Sequence, residues 1–402
     1  MNQLKAIFRF TPIRVIFWLL ASLVLTPVLI LILLISPIFR IRFGYLDASR
    51  IGHFCFDLGY FIFQKNNCAQ SKGSANMFFL RGPVSNVFLK ALTKQYFFVH
   101  PLVGVLIFVL KGFPRGLGLI VEPQRVITGS RDTKGVFAKS SFQINFLDSQ
   151  TSAGNRYLES CGVGPNDRWV CLCVRDSAYL NTFLPKTTDG WAYHDFRDSD
   201  IDSYLTAAEY LAEEGIKVFR MGKTVSKPMP SSHLNIIDYA SSEQRSDFLD
   251  VWLIANCYFC ISTNLGLDAV SFVFKRPLLI VNALPLIHMQ SYHQSIFVPK
   301  HLYSERTGQH LGIKEYVEAQ GNRTDAYRKA GIRISDLQPS EITAATKEMN
   351  GRLKGCWTES ASEYDLQQRF WQIMRENESY SRFHDWIHPS ARIGRDFLRS
   401  IT

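Results

Sequence analysis

Three short polar groups in the second half of the chain carry the residue types that chemistry on a phosphate ester needs. Arg175 and Asp176 follow the apolar run Trp169–Val174. Arg220, Gly222 and Lys223 close the run that begins at Lys217. Ser262-Thr-Asn-Leu-Gly-Leu-Asp268 follows a third apolar run from Tyr258. In that last turn, Ser262, Thr263 and Asn264 supply small hydroxyl and amide groups. Gly266 permits close backbone approach, and a helix start would aim N–H groups at an anion. Together these suit a diphosphate, and Asp268, slightly deeper, is placed to accept from ribose hydroxyls. Arg175, Arg220 and Lys223 would offset the charge that grows on a departing diphosphate. The same turn also suits a plain N-cap with no ligand.

A general base has to lie within hydrogen-bond reach of the hydroxyl it deprotonates. His194-Asp-Phe-Arg197 follows Trp191 and Tyr193 in a polar loop able to reach over such a site. His194, Asp195 and Asp176 are therefore the candidate bases, and a surface hydrogen-bond network is the competing reading of His194, Asp195 and Arg197. Arg50, Gly52 and His53, ahead of an early helix, are the corresponding candidates for an acceptor side, with Arg197 reaching toward it. No metal site is expected. Asp198-x-Asp200-x-Asp202 sits where carboxylates suit a helix start, and Cys257-x-x-Cys260 has no second pair to complete a zinc site. The eight cysteines, at 55, 68, 161, 171, 173, 257, 260 and 356, are scattered. They point to a reducing compartment and not to a disulfide framework, and Cys171, Cys173, Cys257 and Cys260 read as buried small hydrophobes.

The elements that would position these residues alternate. A strand at 169–174 precedes a helix over Ile201–Ala212 that Ser199 can cap and Gly215 stops. Strands at Lys217–Met221 and Leu234–Ile237 lead to a helix at Glu243–Ala255, with Phe248, Val251, Trp252 and Ala255 inward. A strand at Tyr258–Ser262, a short helix at Leu267–Phe274 and a strand at Leu278–Val281 complete the series. Uninterrupted apolar strands alternating with helices predict a parallel sheet covered on both faces, and ligands then bind beyond the carboxyl ends of the strands. The first half gives strands at Ile41–Leu46, Met77–Leu80 and Leu117–Val121, a helix through Phe63 and another from Pro83. Residues 124–168, rich in Ser, Asn, Gly and Asp, read as the region between domains. Helices at Pro339–Lys354 and Glu359–Glu376 form a tail that packs back on the body.

Ahead of all this, Val15–Ile35 holds no charged residue, and its length is about the ~20 residues a bilayer-spanning helix needs. Lys5, Arg9 and Arg14 precede it and Arg40, Arg42 and Arg50 follow, so orientation gets no vote. Pro27 would also permit a bent, re-entrant helix. Tyr96–Leu110 is short for a span and reads as a buried helix. Residues 1–150 hold 17 Lys and Arg against 5 Asp and Glu, so the net charge of +10 belongs to the N-terminal third. Beside an apolar segment, that charge points to anionic lipid and away from nucleic acid, for which no recognition motif is evident.

Taken in order, Val-Arg-Asp176, Tyr193-His-Asp-Phe-Arg197, Phe219-Arg-Met-Gly222 and Ser262-Thr-Asn-Leu-Gly-Leu-Asp268 with Arg276-Pro277 resemble a family of bacterial glycosyltransferases of surface-polysaccharide and glycan synthesis. Arg50-Ile-Gly-His53 and Ala391-Arg-Ile-Gly394 extend the likeness over nearly all the chain after the apolar segment. The resemblance implies a GT-B-like α/β fold: two Rossmann-like domains with parallel sheets, after an N-terminal membrane helix and before a helical C-terminal tail. The expected boundaries are 1–40 for the anchor, 41–150 for the acceptor domain, 165–300 for the nucleotide-sugar domain and 301–402 for the helical region. It implies metal-independent transfer from a nucleotide-sugar, a co-substrate with no further cofactor, to a glycan or lipid-linked acceptor, at the cytoplasmic side of a bacterial inner membrane. Leu265 stands where much of the family has a small polar residue. A sugar-nucleotide epimerase of the same fold and a non-catalytic membrane scaffold are the alternatives.

Overall fold

A computed structural model describes residues 12–67, 73–123, 125–126, 129–178, 182, 192–321 and 323–401; for 12–18, 126 and 192–194 it describes the backbone only. Lys5, Arg9, Cys68 and Trp191 lie outside the described residues, as do the side chains of Arg14, Tyr193 and His194. The chain divides into two compact units, Met1–Arg125 and Val126–Thr402. The division falls ahead of the domain boundary expected near residue 150.

In chain order, unit 1 contains α1 (Pro12–Ile35), β1 (Arg40–Asp47), α2 (Ile51–Asn67), β2 (Ser74–Arg81), α3 (Val87–Tyr96), β3 (Phe98–Val99), α4 (Leu102–Leu110) and β4 (Ile120–Val121). Its four strands lie in the order β3-β2-β1-β4, all parallel. Along β1 the backbone must come close to its neighbours: a Cβ on Gly44 would sit 2.7 Å from the Phe78 ring and 2.9 Å from the Val121 carbonyl. Helix α3 starts at Val87, later than Pro83 suggests, because Asn86 caps it by accepting from the Leu89 N–H at 2.9 Å. The stretch Tyr96–Leu110 becomes the end of α3, the edge strand β3 and α4, whose Val103, Ile107, Val109 and Leu110 are buried as expected.

The segment expected to span a membrane is a continuous helix through Pro27. Its described side chains divide in two. Leu29 and Ile32 are buried, with Ala21, Leu25 and Leu33 beside them, against Val103, Ile107 and Leu110 of α4 and Phe43 of β1. The other face is exposed. Burial of each large aliphatic in this seam contributes roughly 1.5–3 kcal/mol. Among the described residues, no helix is long and apolar enough to cross a membrane.

Unit 2 contains α5 (Asp148–Ser160), β5 (Trp169–Cys173), α6 (Leu205–Glu213), β6 (Lys217–Met221), β7 (Ile236–Ile237), α7 (Asp247–Asn256), β8 (Phe259–Ser262), β9 (Leu278–Val281), β10 (Ser295–Val298), β11 (His301–Ser304), β12 (Ile332–Ser335), α8 (Pro339–Lys354), α9 (Ala361–Glu376) and β13 (Arg392–Ile393). Seven of its strands form one parallel sheet in the order β13-β10-β9-β8-β5-β6-β7. The alternation read from sequence is present, with Ser246 capping α7 through the Leu249 N–H.

Three features differ from expectation. Helix α5 stands in the region read as inter-domain; it is largely polar, so its pattern is faint, and Gly154 lets it press on the Trp252 ring. The tail is not purely helical. Arg392–Ile393 adds a strand beside β10, and β11 pairs with β12 as an antiparallel hairpin. Asp200, not Ser199, caps the turn that opens α6, accepting from the Asp202 N–H at 3.0 Å. Cys171, Cys173, Cys257 and Cys260 are buried free thiols, as read from sequence.

Candidate functional site

From β5 the chain moves outward to β6 and β7, then returns to β8 on the other side of β5. The direction of winding thus reverses between β5 and β8, the place where open parallel sheets leave a crevice for ligands. Register aligns the carboxyl ends: Cys173 pairs with Met221 on one side and Ser262 on the other. Arg175 and Asp176, Gly222 and Lys223, and the Ser262–Asp268 turn therefore share one edge of unit 2.

Interlocking bonds hold that edge. The Arg175 N–H donates to Thr263 Oγ1 at 2.9 Å, and the Thr263 N–H to the Cys173 carbonyl at 3.2 Å. The Arg175 side chain pairs with Asp198 at 2.9 Å. Arg197, expected to reach toward the acceptor, instead donates to the Asn264 carbonyl at 2.6 Å, and Gln290 donates to the Asn264 side chain at 2.7 Å. Asn264 takes a positive φ of 59°, which an Asn tolerates better than most residues.

Asp268 is buried inside the turn. Its carboxylate accepts from Ser262 Oγ at 2.8 Å and from the Leu265 N–H at 2.9 Å. Burial pushes its pKa up to about 7 against the opposing pull of those two bonds. Its hydrogen-bonding capacity is directed at the turn more than at a ribose. The Thr263, Asn264 and Leu265 N–H groups likewise have partners within the protein. Gly266–Asp268 is a single turn of 3₁₀ helix followed by the five-residue helix Ala269–Val273.

Across β5, a cavity of about 190 Å³ is lined by Val174, Asp176, Ser199, Ile201, Arg220 and Lys227, among others. Arg220 is 1% exposed. Its Nη1 pairs with Asp238 at 3.4 Å, and its Nε, also buried, has no hydrogen-bond partner among the described residues. Desolvation lowers its pKa, with Asp238 and Asp176 acting the other way. Asp176 is held by three donors: the Ala178 N–H at 2.9 Å, the Ser226 N–H at 2.8 Å and Ser226 Oγ at 3.0 Å. Gly222 allows the loop to turn, since a Cβ there would meet Val225 at 2.7 Å. Lys223 lies 3.7 Å from Asp247. The side chain of Asp195 is exposed in the 3₁₀ segment Ala192–Arg197, which also contains His194. Of the Asp198, Asp200 and Asp202 series, Asp198 holds Arg175, while Asp200 and Asp202 both bind Lys227.

No protein-family model matches the chain, and a search of curated proteins gives no match. Several solved structures are similar to it. A glycosyl transferase family 9 protein from Veillonella parvula DSM 2008 matches with a TM-score of 0.40 at 10% identity, over 65% of this chain and 86% of that one. The E. coli ADP-heptose lps heptosyltransferase II matches with a TM-score of 0.33 at 14% identity, over 64% and 85%. The E. coli heptosyltransferase WaaC with ADP matches with a TM-score of 0.31 at 10% identity, over 60% and 87%.

Residues that sequence reading passed over complete the edge. Asn282 follows β9 with a φ of 55° and joins three segments: it donates to Ser199 Oγ at 2.9 Å and to the Tyr204 hydroxyl at 3.3 Å, and accepts from the Leu337 N–H at 2.8 Å. Lys300, buried, donates to the Asp198 carbonyl and to Asp336, both at 2.6 Å. A polar residue just past a buried strand was the available signal for Asn282. None existed for Lys300, whose partners are more than thirty residues away.

In unit 1, Arg50 is exposed just ahead of α2, and Gly52 and His53 lie in its first turn. Burial, then the nearby Arg125, lowers the His53 pKa. Arg125 pairs with Asp57 at 2.5 Å and Arg81 with Asp47 at 2.7 Å, and both guanidiniums lie within 6 Å of the Tyr45 ring, at 5.8 and 4.3 Å. Each of these guanidiniums thus has a carboxylate of its own, and Arg50 adds an exposed cation ahead of α2. Among the described residues no group of three or more His, Cys, Asp or Glu side chains is placed to hold a metal ion.

Proposed function

We propose that this chain is a glycosyltransferase that moves a sugar from a nucleotide-sugar bound at the carboxyl edge of the unit 2 sheet to a membrane-proximal acceptor. The observation that carries this reading is Arg220. A guanidinium almost wholly removed from water, with one long ion pair and a buried Nε that has no partner among the described residues, on a side chain that lines a cavity beside the sheet's switch point, is costly unless an anion completes it. The phosphates of a nucleotide diphosphate are such an anion, and a fixed cation there stabilises the leaving group as charge develops on it. The ordered resemblance of the surrounding motifs to glycosyltransferases supports the same assignment.

In this reading Arg220 holds a phosphate, and Arg175 and Lys223 add positive potential. The Ser262–Asp268 turn forms the rigid wall of the donor site. Asp176 orients the loop that carries Ser226. His194 and Asp195 are the candidates for the base that takes the acceptor's proton. Arg50, exposed at the head of α2, with Arg81 and Arg125 held nearby by Asp47 and Asp57, suits an acceptor bearing phosphate or carboxylate groups that the neutral His53 can hydrogen-bond, and the apolar helix ahead of it suits an acceptor linked to lipid at the inner membrane's cytoplasmic face.

The test is titration calorimetry of the full chain with nucleoside diphosphates and nucleotide-sugars, followed by an assay of diphosphate release with bacterial lipid extract as acceptor. Binding of at least one nucleotide, and lipid-dependent release from its sugar derivative, are expected. A folded protein that binds none of them sinks the reading. Binding without release in any extract points to a non-catalytic scaffold.

A further inference from the structure

The outer face of α1 is apolar and open. Leu23 is 76% exposed, Leu34 72% and Ile38, in the turn that follows, 86%. Leu20, Val24 and Leu31 are also more than half exposed. The inner face lies against α4 and β1 from Ala21 to Leu33, a length of about 18 Å at 1.5 Å per residue. An apolar stripe this dense on an otherwise well-packed unit marks an interaction surface.

Charge identifies the partner. Between Val15 and Phe39 there is no charged residue, yet cations stand at the ends of both helices of the seam: Arg14 is in the first turn of α1 and Arg40 and Arg42 follow it, while Lys111 and Arg115 follow α4. Unit 1 as a whole holds 14 Lys and Arg against 3 Asp and Glu. An apolar slab rimmed by anionic groups is what such a surface complements, and a lipid leaflet with anionic headgroups has that chemistry.

We infer that unit 1 seats in one leaflet of an anionic membrane, with α1 lying in the plane of the interface and not crossing it. Because α1 is fastened along α4, standing it upright would carry α4 and the start of β1 into the hydrocarbon with it. Arg40, Arg42 or Lys111 would then have to enter, at roughly 2.5–3.5 kcal/mol for each charge near the bilayer centre. Lying flat, the outer stripe meets the acyl chains and the cations at both ends reach the same headgroup layer. The inference rests on the membrane part of the proposed function and not on the transfer chemistry, so nucleotide binding can fail while this holds.

The test uses the full chain, tagged at both ends and added to preformed sealed vesicles of phosphatidylcholine with or without phosphatidylglycerol. Flotation with the anionic vesicles, at least tenfold weaker with neutral ones, is expected, and external protease should remove both tags. Leu23→Glu with Leu31→Glu should abolish flotation without lowering Tm. If the charges unfold the protein, Leu23→Gln with Leu31→Gln replaces them. A protected N-terminal tag beside a cleaved C-terminal one means a spanning helix and overturns the in-plane arrangement. Equal flotation with neutral lipid overturns the role of the cations. No flotation, with a dimer in solution that the paired substitutions dissociate, gives the surface to a second copy of the chain.

Discussion

Arg220 and Asp268 make opposite uses of burial. Arg220 keeps its charge beside a cavity, and its one ionic partner does not depend on it: Asp238 also accepts from the Met229 N–H and Ser241 Oγ. Arg220→Met should therefore leave Tm of the unliganded protein unchanged or slightly higher, because it removes a desolvated charge without orphaning its partner. Nucleotide affinity in calorimetry should fall about tenfold or more, the loss of a charged hydrogen bond worth roughly 1.5–3 kcal/mol. Asp268 is the titrating residue. Unfolded, it releases its proton near 3.8, whereas folded it holds the proton up to about 7. Between those values the native state binds the extra proton, so this group's contribution to stability falls as pH rises through that window and is level above it. Asp268→Asn keeps an acceptor oxygen for Leu265 and Ser262 but cannot titrate, so the difference in unfolding free energy between wild type and variant should change from pH 4 to 7 and then flatten. A constant difference across that range contradicts the burial argument. Both residues were legible from sequence as polar side chains at strand ends. Their burial was not, since it depends on neighbours such as Asp238 and Leu265 that only the folded turn supplies.

At the scale of elements, periodicity located the sheet of unit 2 because its central strands are covered on both faces and read as unbroken apolar runs, as in Trp169–Cys173 and Leu278–Val281. Helix α7 announced itself through its inward Phe248, Val251 and Trp252, but it starts at Asp247, after the Ser246 cap and four residues later than Glu243. Replacing Ser246 with Ala should cost about 1 kcal/mol in denaturant unfolding, the usual loss for an N-cap, by freeing the Leu249 N–H. Where pattern failed, the element lacks a face of its own. Helix α5 is mostly polar and is fixed by a close approach: a Cβ on Gly154 would fall 2.1 Å from the Trp252 ring. Gly154→Ala gains helix propensity yet should lower stability by roughly 1–3 kcal/mol through overpacking. A gain in Tm would mean that the contact with Trp252 is soft. The two-residue strand β13 is likewise silent in sequence, because it is recruited by the exposed edge of β10 more than by propensity.

Each unit of the molecule owns a sheet and a buried core, and the proposed donor site draws all its residues from Val126–Thr402. The proposed donor chemistry is thus confined to one compact unit, while the membrane surface inferred above belongs to the other. Cooperative units of this kind unfold in separate steps when little couples them. Scanning calorimetry of the full chain in detergent should then show two transitions. A nucleoside diphosphate at a hundred times its dissociation constant stabilises the unit that binds it by about 2.7 kcal/mol, so it should raise one transition and leave the other in place. Anionic lipid should act on the other. If nucleotide raises both transitions equally, the two units unfold as one, and the separation of donor binding from membrane binding drawn here does not hold.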